Sequence, residues 1–436
     1  MIRLAFLLLG AGALQPQWRI LAFAGGAWCL LGLLMLADLS DGRMSVLTDT
    51  LGVLLAIEGV VETAVAVAMG ARQNWRGLLR GIGFMTAGFL VADIPWDNNI
   101  GSTVLFGFAF LIDGLLRISA AFVVHNPRWR QGLIAGLLEI VVSALVFLDY
   151  PIPHRLTVPF CLSLLLLTSG YALLALSIQL RRLSPGVSVT SLPLYALRNW
   201  HERPEIDLAG AQAGPEFPGQ QLLVRVWTAM GTAEGAQGQP VVRRYIAAVD
   251  RNGVVSTGHA ALELPPDLYI SHYPAVEIDR DSDNFRQALH SGVQNNVRGR
   301  YQPSYAEEAA GWCPADQTVI LTRFNSVALR RFWQAYSADT TYNLTARNCS
   351  TTVIQALDAA TEGALGGGRP LRQMLHLLFD PYFWLLRLVR GRAELMTWTP
   401  GLVLDYARLL VEVIEHGDRR WWSRMSRALQ AVRSRR

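Results

Sequence analysis

The sequence predicts two unlike parts: an α-helical membrane bundle, then a smaller α+β domain that ends in a helical tail. Three observations predict it. Residues 1–182 hold successive apolar runs, most near the roughly 20 residues that a bilayer-crossing helix needs. Residues 221–365 change to short alternating runs separated by turns, the pattern of strands and single helices. Residues 366–436 return to a helical pattern, with thirteen arginines against six acids from position 369 onward. Across the 436 residues 51% are apolar, 17% are charged and the mean hydropathy is +0.26. That balance is high for a water-soluble protein.

Composition also removes some classes. The net charge of +5 gathers at the C-terminal end, so it outlines no nucleic-acid face. Every cation is arginine. Cys29, Cys161, Cys313 and Cys349 lie far apart and two fall in apolar spans, so no disulfide framework is predicted. No pair among His259, His272, Cys313 and Cys349 has the short spacing of structural zinc. Neither metal nor cofactor is expected.

The spans fall near 18–37, 47–70, 77–95, 101–123, 130–149 and 157–180. Residues 4–14 are apolar but too short to cross, and they read as an interfacial or re-entrant helix. The spans repeat. Trp18-Arg19, Trp75-Arg76 and Trp129-Arg130 each open one, as interfacial tryptophans do. Asp38, Asp93 and Asp149 follow about twenty residues later. Glu58-Gly59, Asp113-Gly114 and Ser169-Gly170 then mark each second span. Three helical hairpins result. Gly77 and Gly81, and Gly132 and Gly136, carry the small-residue spacing of close helix contact, and a homo-oligomer through this domain is compatible with it. Glu58, Glu62, Asp113, Arg117 and Glu139 are ionisable groups inside spans. They read as a packing cluster centred on Arg117 ahead of a proton or ion route.

This pattern resembles the acid-resistance membrane proteins of the HdeD type (the DUF308 repeat) over roughly residues 16–182, and that family has six spans. The resemblance implies a multi-pass protein of the bacterial inner membrane. Arginines concentrate in alternate loops, so both ends are expected in the cytoplasm.

Residues 183–220 read as a linker broken by Pro204, Pro215 and Pro218. The α+β domain opens with the strand Leu222–Trp227. Arg244–Val249 reads as the next strand, turning at Asp250–Gly253 into the strand of His259. Val319–Thr322 reads as a later strand and Ser326–Ala335 as a helix. The chemistry gathers at Tyr342–Thr351. There a polar turn delivers Cys349 to a helix start, with Asn348 or Ser350 near the cap. The positive end of a helix dipole favours thiolate. His259 and His272 lie on strands upstream, so the parts of a nucleophile, its base and an orienting group are present.

The order Gly258-His259-Ala260, Ser271-His272, then Tyr-x-Leu-x-x-x-Asn-Cys from Tyr342 to Cys349 resembles the circularly permuted papain-like (NlpC/P60-type) thiol hydrolases and acyltransferases. Within them it is similar to the lecithin:retinol acyltransferase-like branch. The resemblance covers roughly residues 220–362. It implies a permuted papain-like fold, with Cys349 as nucleophile, His259 as base and His272 as orienting group; Glu263 and Asn348 are the alternative orienting groups. The substrate would be an acyl group in an ester, amide or thioester, on a lipid or a peptide. Ser350-Thr351-Thr352 stands where that branch commonly has Glu-His-Phe. The alternative is a non-enzymatic stress-response or transport protein with a cytosolic sensor or ligand-binding domain. For the tail, one reading lays it on the inner leaflet with Trp421-Trp422 at headgroup depth. The other packs it on the α+β domain as a basic helical hairpin.

Overall fold

The computed structural model describes residues 1–38, 45–68, 75–92, 100–150, 153–184, 186–196, 200–201, 220–228, 248–249, 255–256, 258–276, 278 and 287–415. Asp93, Pro204, Pro215, Pro218, the Asp250–Gly253 turn and Trp421-Trp422 lie outside them. The first part of the chain is helical. It runs through α1 (Ile2–Leu9), α2 (Ala11–Leu14), α3 (Trp18–Asp38), α4 (Ser45–Ala68), α5 (Trp75–Ala92), α6 (Ile100–Val123), α7 (Trp129–Phe147), α8 (Thr157–Arg181) and α9 (Pro193–Ala196). Strands follow as β1 (Leu222–Trp227), β2 (Ala248–Val249), β3 (Val255–Ser256), β4 (His259–Leu264), β5 (Leu268–Ile270), β6 (His272–Pro274) and β7 (Val297–Tyr301). Then come α10 (Tyr305–Gly311), β8 (Gln317–Leu321), α11 (Ser326–Tyr336), β9 (Thr341–Tyr342), α12 (Cys349–Thr361), α13 (Pro370–Leu378), α14 (Pro381–Leu395) and α15 (Pro400–Ile414).

Two compact units result. Among the described residues, one holds those of 1–24, 119–130 and 172–415; the other holds those of 25–118 and 131–171. These boundaries differ from the sequence-based ones at 182 and 365, because the first and last described helices both join the cysteine-bearing unit.

Among the described residues four helical stretches are long and apolar enough to cross a bilayer: Ala11–Ala37, Ile100–Val123, Trp129–Phe147 and His154–Arg181. Gly77–Ala92 is a shorter apolar helix. The chain is a membrane protein. Its second unit is built on close helix contacts. A Cβ on Gly114 would fall 2.7 Å from the Gly136 carbonyl oxygen, and one on Gly136 would fall 2.7 Å from that of Gly114. Only glycine permits that crossing of α6 and α7. Ser143 Oγ donates to the Gly107 carbonyl at 2.8 Å beside it. Arg117 bridges Asp113 on its own helix at 2.7 Å and Glu139 on α7 at 2.9 Å. Gly81 on α5 likewise meets Gly59 and Thr63 on α4.

The first unit is organised on a four-stranded antiparallel sheet in the order β5-β4-β1-β8. Along β1, Leu222, Val224 and Val226 are buried while Leu223 and Arg225 are half-buried, so one face looks into the core. A second sheet, β6-β7-β9, continues from it, since only Ser271 separates β5 from β6. Helix α12 packs against β4, and all of Cys349–Thr361 is buried. It is the central helix of the unit. Helix α15 packs on β1 and β8 and helix α11 on α12.

Helix α1 belongs to this core. The interfacial or re-entrant helix expected over residues 4–14 is instead a protein-buried one: Phe6, Leu7, Leu8 and Leu9 are all 0% exposed. Gly363 N–H donates to the Leu7 carbonyl at 2.9 Å and Leu365 N–H to the Leu8 carbonyl at 2.8 Å. Its apolar residues are buried because α12 and α13 cover it. Each fully buried leucine contributes about 1.5–3 kcal/mol.

The described part of the tail packs on the domain as well. Phe383, Leu386, Ala393, Val403, Ala407 and Leu410 are fully buried. Arg390 on α14 pairs with both oxygens of Asp358 on α12 at 2.7 Å and with Glu394 at 2.7 Å. It also donates to Tyr406 at 3.0 Å and Tyr195 at 3.3 Å. A fully paired buried guanidinium of this kind ties together four helices, α9, α12, α14 and α15, and removing one partner costs about 3–5 kcal/mol.

Candidate active site

Cys349 is the first residue of α12, where the sequence placed it. Asn348 caps the helix. Its Oδ1 accepts from Thr351 N–H at 2.8 Å, and Asn348 N–H donates to Thr351 Oγ1 at 2.8 Å. This reciprocal cap satisfies two of the free amides of a helix start. The Asn348 amide group then donates to Leu344, Thr397 and Trp398. Asn343 shapes the turn ahead of it by accepting from Thr345 and Ala346 N–H at 3.1 and 2.9 Å. The position of Cys349 is therefore held from both sides.

Helix α12 lies on β4, and the Ala260 backbone N–H acts on the Cys349 sulfur. The residue before Ala260 is His259. It is 3% exposed and stacks on Tyr273, with ring centroids 4.0 Å apart. Its Nε2 stands 2.8 Å from Ser271 Oγ and 3.3 Å from Glu308 Oε1. Glu308 is on α10 and is also buried. Its Oε1 accepts from Tyr273 O–H and its Oε2 from Tyr269 O–H, both at 2.7 Å. Register explains the grouping. Leu262 pairs with Ile270 across β4 and β5, and continuing that alternation sets His259 opposite Tyr273.

His272 goes elsewhere. Its Nδ1 lies 3.3 Å from Thr352 Oγ1 and its Nε2 3.5 Å from the Thr340 carbonyl. Tyr301, Tyr336 and Tyr342 surround the ring. The structure thus brings Cys349 and His259 to the same stretch of β4 and gives His272 other hydrogen-bond partners. Glu308 was missed by sequence reasoning. The helix start at Ser304 with Glu307 three residues on is readable, but nothing in that pattern says that the next residue meets a histidine from another strand.

Electrostatics correct one expectation. A helix start alone favours thiolate, yet burial pushes the Cys349 thiol above its ordinary value, against the Ala260 and Ser350 hydrogen bonds that lower it. Burial likewise pushes His259 down to about 3 and His272 to about 4. Burial thus favours the neutral thiol at Cys349 and the neutral imidazole at His259. Among the described residues no group of three or more His, Cys, Asp or Glu is placed to hold a metal ion.

No family model matches the chain, no curated protein matches it and no solved structure matches it. The resemblances to the HdeD type and to the permuted papain-like enzymes therefore rest on the residues named for them.

Proposed function

We propose that the chain is a membrane-anchored cysteine hydrolase or acyltransferase acting on an ester, amide or thioester. The observation that carries this reading is the seat of Cys349. It is a cysteine at a capped helix start, against the strand that carries a buried histidine, a seat that suits a nucleophile. As Cys349 attacks the acyl carbonyl, its proton passes to His259 and a C–S bond forms. The tetrahedral oxyanion collapses, the leaving group departs with the His259 proton, and a thioester remains. Water or an acceptor hydroxyl then attacks, gives its proton to His259, and releases the acyl group and the thiol. The Cys349 N–H at the helix start is one oxyanion donor in this scheme. Because the resting pair is neutral, proton transfer accompanies attack.

The same reading takes α3–α8 as six spans of a bacterial inner membrane, with the arginine-rich loops and the Cys349 unit on the cytoplasmic side. It takes the acid-resistance likeness as a matter of scaffold. His272 links the first turn of α12, at Thr352, to the Thr340 carbonyl.

The test is acylation of the full chain in detergent by p-nitrophenyl esters of graded chain length. A burst of p-nitrophenol is expected, with the acyl mass found on Cys349 and on no other cysteine. Cys349→Ala should abolish both, and His259→Ala should slow acylation by about 100-fold or more. Turnover that survives Cys349→Ala would overturn the reading, and no acyl adduct with any ester would return the unit to ligand binding.

A further inference from the structure

Resting on that reading, we propose that Glu308 is the positioning residue for His259, with Tyr269 and Tyr273 holding its carboxylate in place. His259 Nε2 faces two groups, Ser271 Oγ at 2.8 Å and Glu308 Oε1 at 3.3 Å. A hydroxyl serves either tautomer of an imidazole, because it donates and accepts. A carboxylate accepts only. It selects the tautomer with the proton on Nε2 and leaves Nδ1 as the basic nitrogen. When that nitrogen takes the Cys349 proton, the ring becomes a cation, and Glu308 is the anion within contact of it. Two tyrosine O–H donors at 2.7 Å fix both carboxylate oxygens. Tyr273 does so while stacking its ring on His259. Strand, helix and ring thus meet at one nitrogen.

His272 makes no hydrogen bond to His259. Its partners are Thr352 and the Thr340 carbonyl, and it meets three tyrosine rings. The orienting role expected of it from sequence passes to Glu308.

Glu308 influences Cys349 by two routes, and they have opposite signs. Directly, its negative charge raises the Cys349 pKa. Through His259, it favours the imidazolium and so eases loss of the thiol proton. The pH profile of Cys349 acylation by p-nitrophenyl acetate, measured on the full chain, separates the two. Glu308→Gln should move the midpoint to higher pH and lower kcat by about 10–100-fold with KM little changed. A midpoint that stays or moves to lower pH overturns the proposal. Tyr273→Phe keeps the stacked ring and loses only the hydroxyl, so it carries the test if Glu308→Gln does not fold. A several-fold fall in kcat is expected, and an unchanged kcat overturns the proposal. His272→Asn should leave kcat within about threefold; a loss and upward shift equal to that of Glu308→Gln returns the role to His272. Wild-type protein that takes no acyl group on Cys349 overturns the functional reading and this proposal together. Normal wild-type acylation with an unmoved Glu308→Gln profile overturns this one alone.

Discussion

Helix α1 and helix α7 are both runs of apolar residues, yet their surroundings are opposite. Phe6, Leu7, Leu8 and Leu9 are sealed inside protein, while Ile134, Leu138 and Val141 are each more than half exposed. On α1 the covering atoms come from α12 and α13. On α7 protein covers only the stripe around Gly136, Ser143 and Val146. The rest of its surface suits hydrocarbon. Hydropathy reports that a helix avoids water and is silent about what replaces the water. Length helps: α1 has 8 residues and α7 has 19. Eight residues cannot cross a bilayer, so their burial calls for protein on every side.

The largest expected effect tests the protein-buried half. Phe6→Ala should lower the unfolding free energy of the Cys349 unit by about 3–5 kcal/mol, read as a fall in Tm of the detergent-solubilised full chain. A change below about 0.5 kcal/mol would place α1 among the lipid-facing helices. The next test addresses the exposed half. Leu138→Arg should oppose insertion of α7 by about 2.5–3.5 kcal/mol, read as loss of glycosylation-mapped or protease-protected membrane integration. Leu138→Ala should be silent in the Tm that Phe6→Ala shifts.

The smallest effect concerns pH at the seam between α1 and the rest of its unit. Glu362 accepts from Ser188 O–H and from Val189 N–H at 2.8 Å, and the Ala11 amide acts on it too. Burial raises it from 4.5 to about 7. The folded state therefore holds this proton more tightly than the unfolded chain. Its stabilising contribution is complete below about 4.5 and is lost as pH rises through about 7. His259 and His272 have the other sign: both are lowered from 6.5, so their contribution is present above that value and is lost on acidification toward about 3–4. Thermal melts of Glu362→Gln should lose the fall in stability between pH 5 and 8 and keep the fall below pH 5. An unaltered profile would dissociate Glu362 from that seam.

Much of this arrangement was legible one segment at a time. Asn348 before Cys349 announced a cap, and the cap is there. His259 and His272 each open a strand. The Trp-led spans all appear as helices, and Gly136 sits at a helix crossing. What stayed hidden needs two distant segments at once. Glu308 acquires meaning only because α10 brings it under a strand about fifty residues earlier. One reading of the tail 369–436 laid it on a lipid surface, yet in its described part Arg390 is spent on Asp358 inside the protein. Charge pattern ranks arginine as a surface residue, and a buried carboxylate partner reverses that ranking without leaving a mark nearby in sequence. The thiolate expectation failed for a related reason. A helix start is a local feature, while the burial that raises Cys349 comes from the packing around it.

The carbonyls of Leu7 and Leu8 wait for amides near Gly363. A ribosome adding 5–20 residues per second reaches that point roughly 20–70 s after it has made α1. Throughout that interval the helix is finished but its seat is not. The Cys349-bearing helix, in turn, lacks one of its walls until α1 docks. Completion of the Cys349 unit is thus deferred until the residues near Gly363 have been made, long after α1 itself.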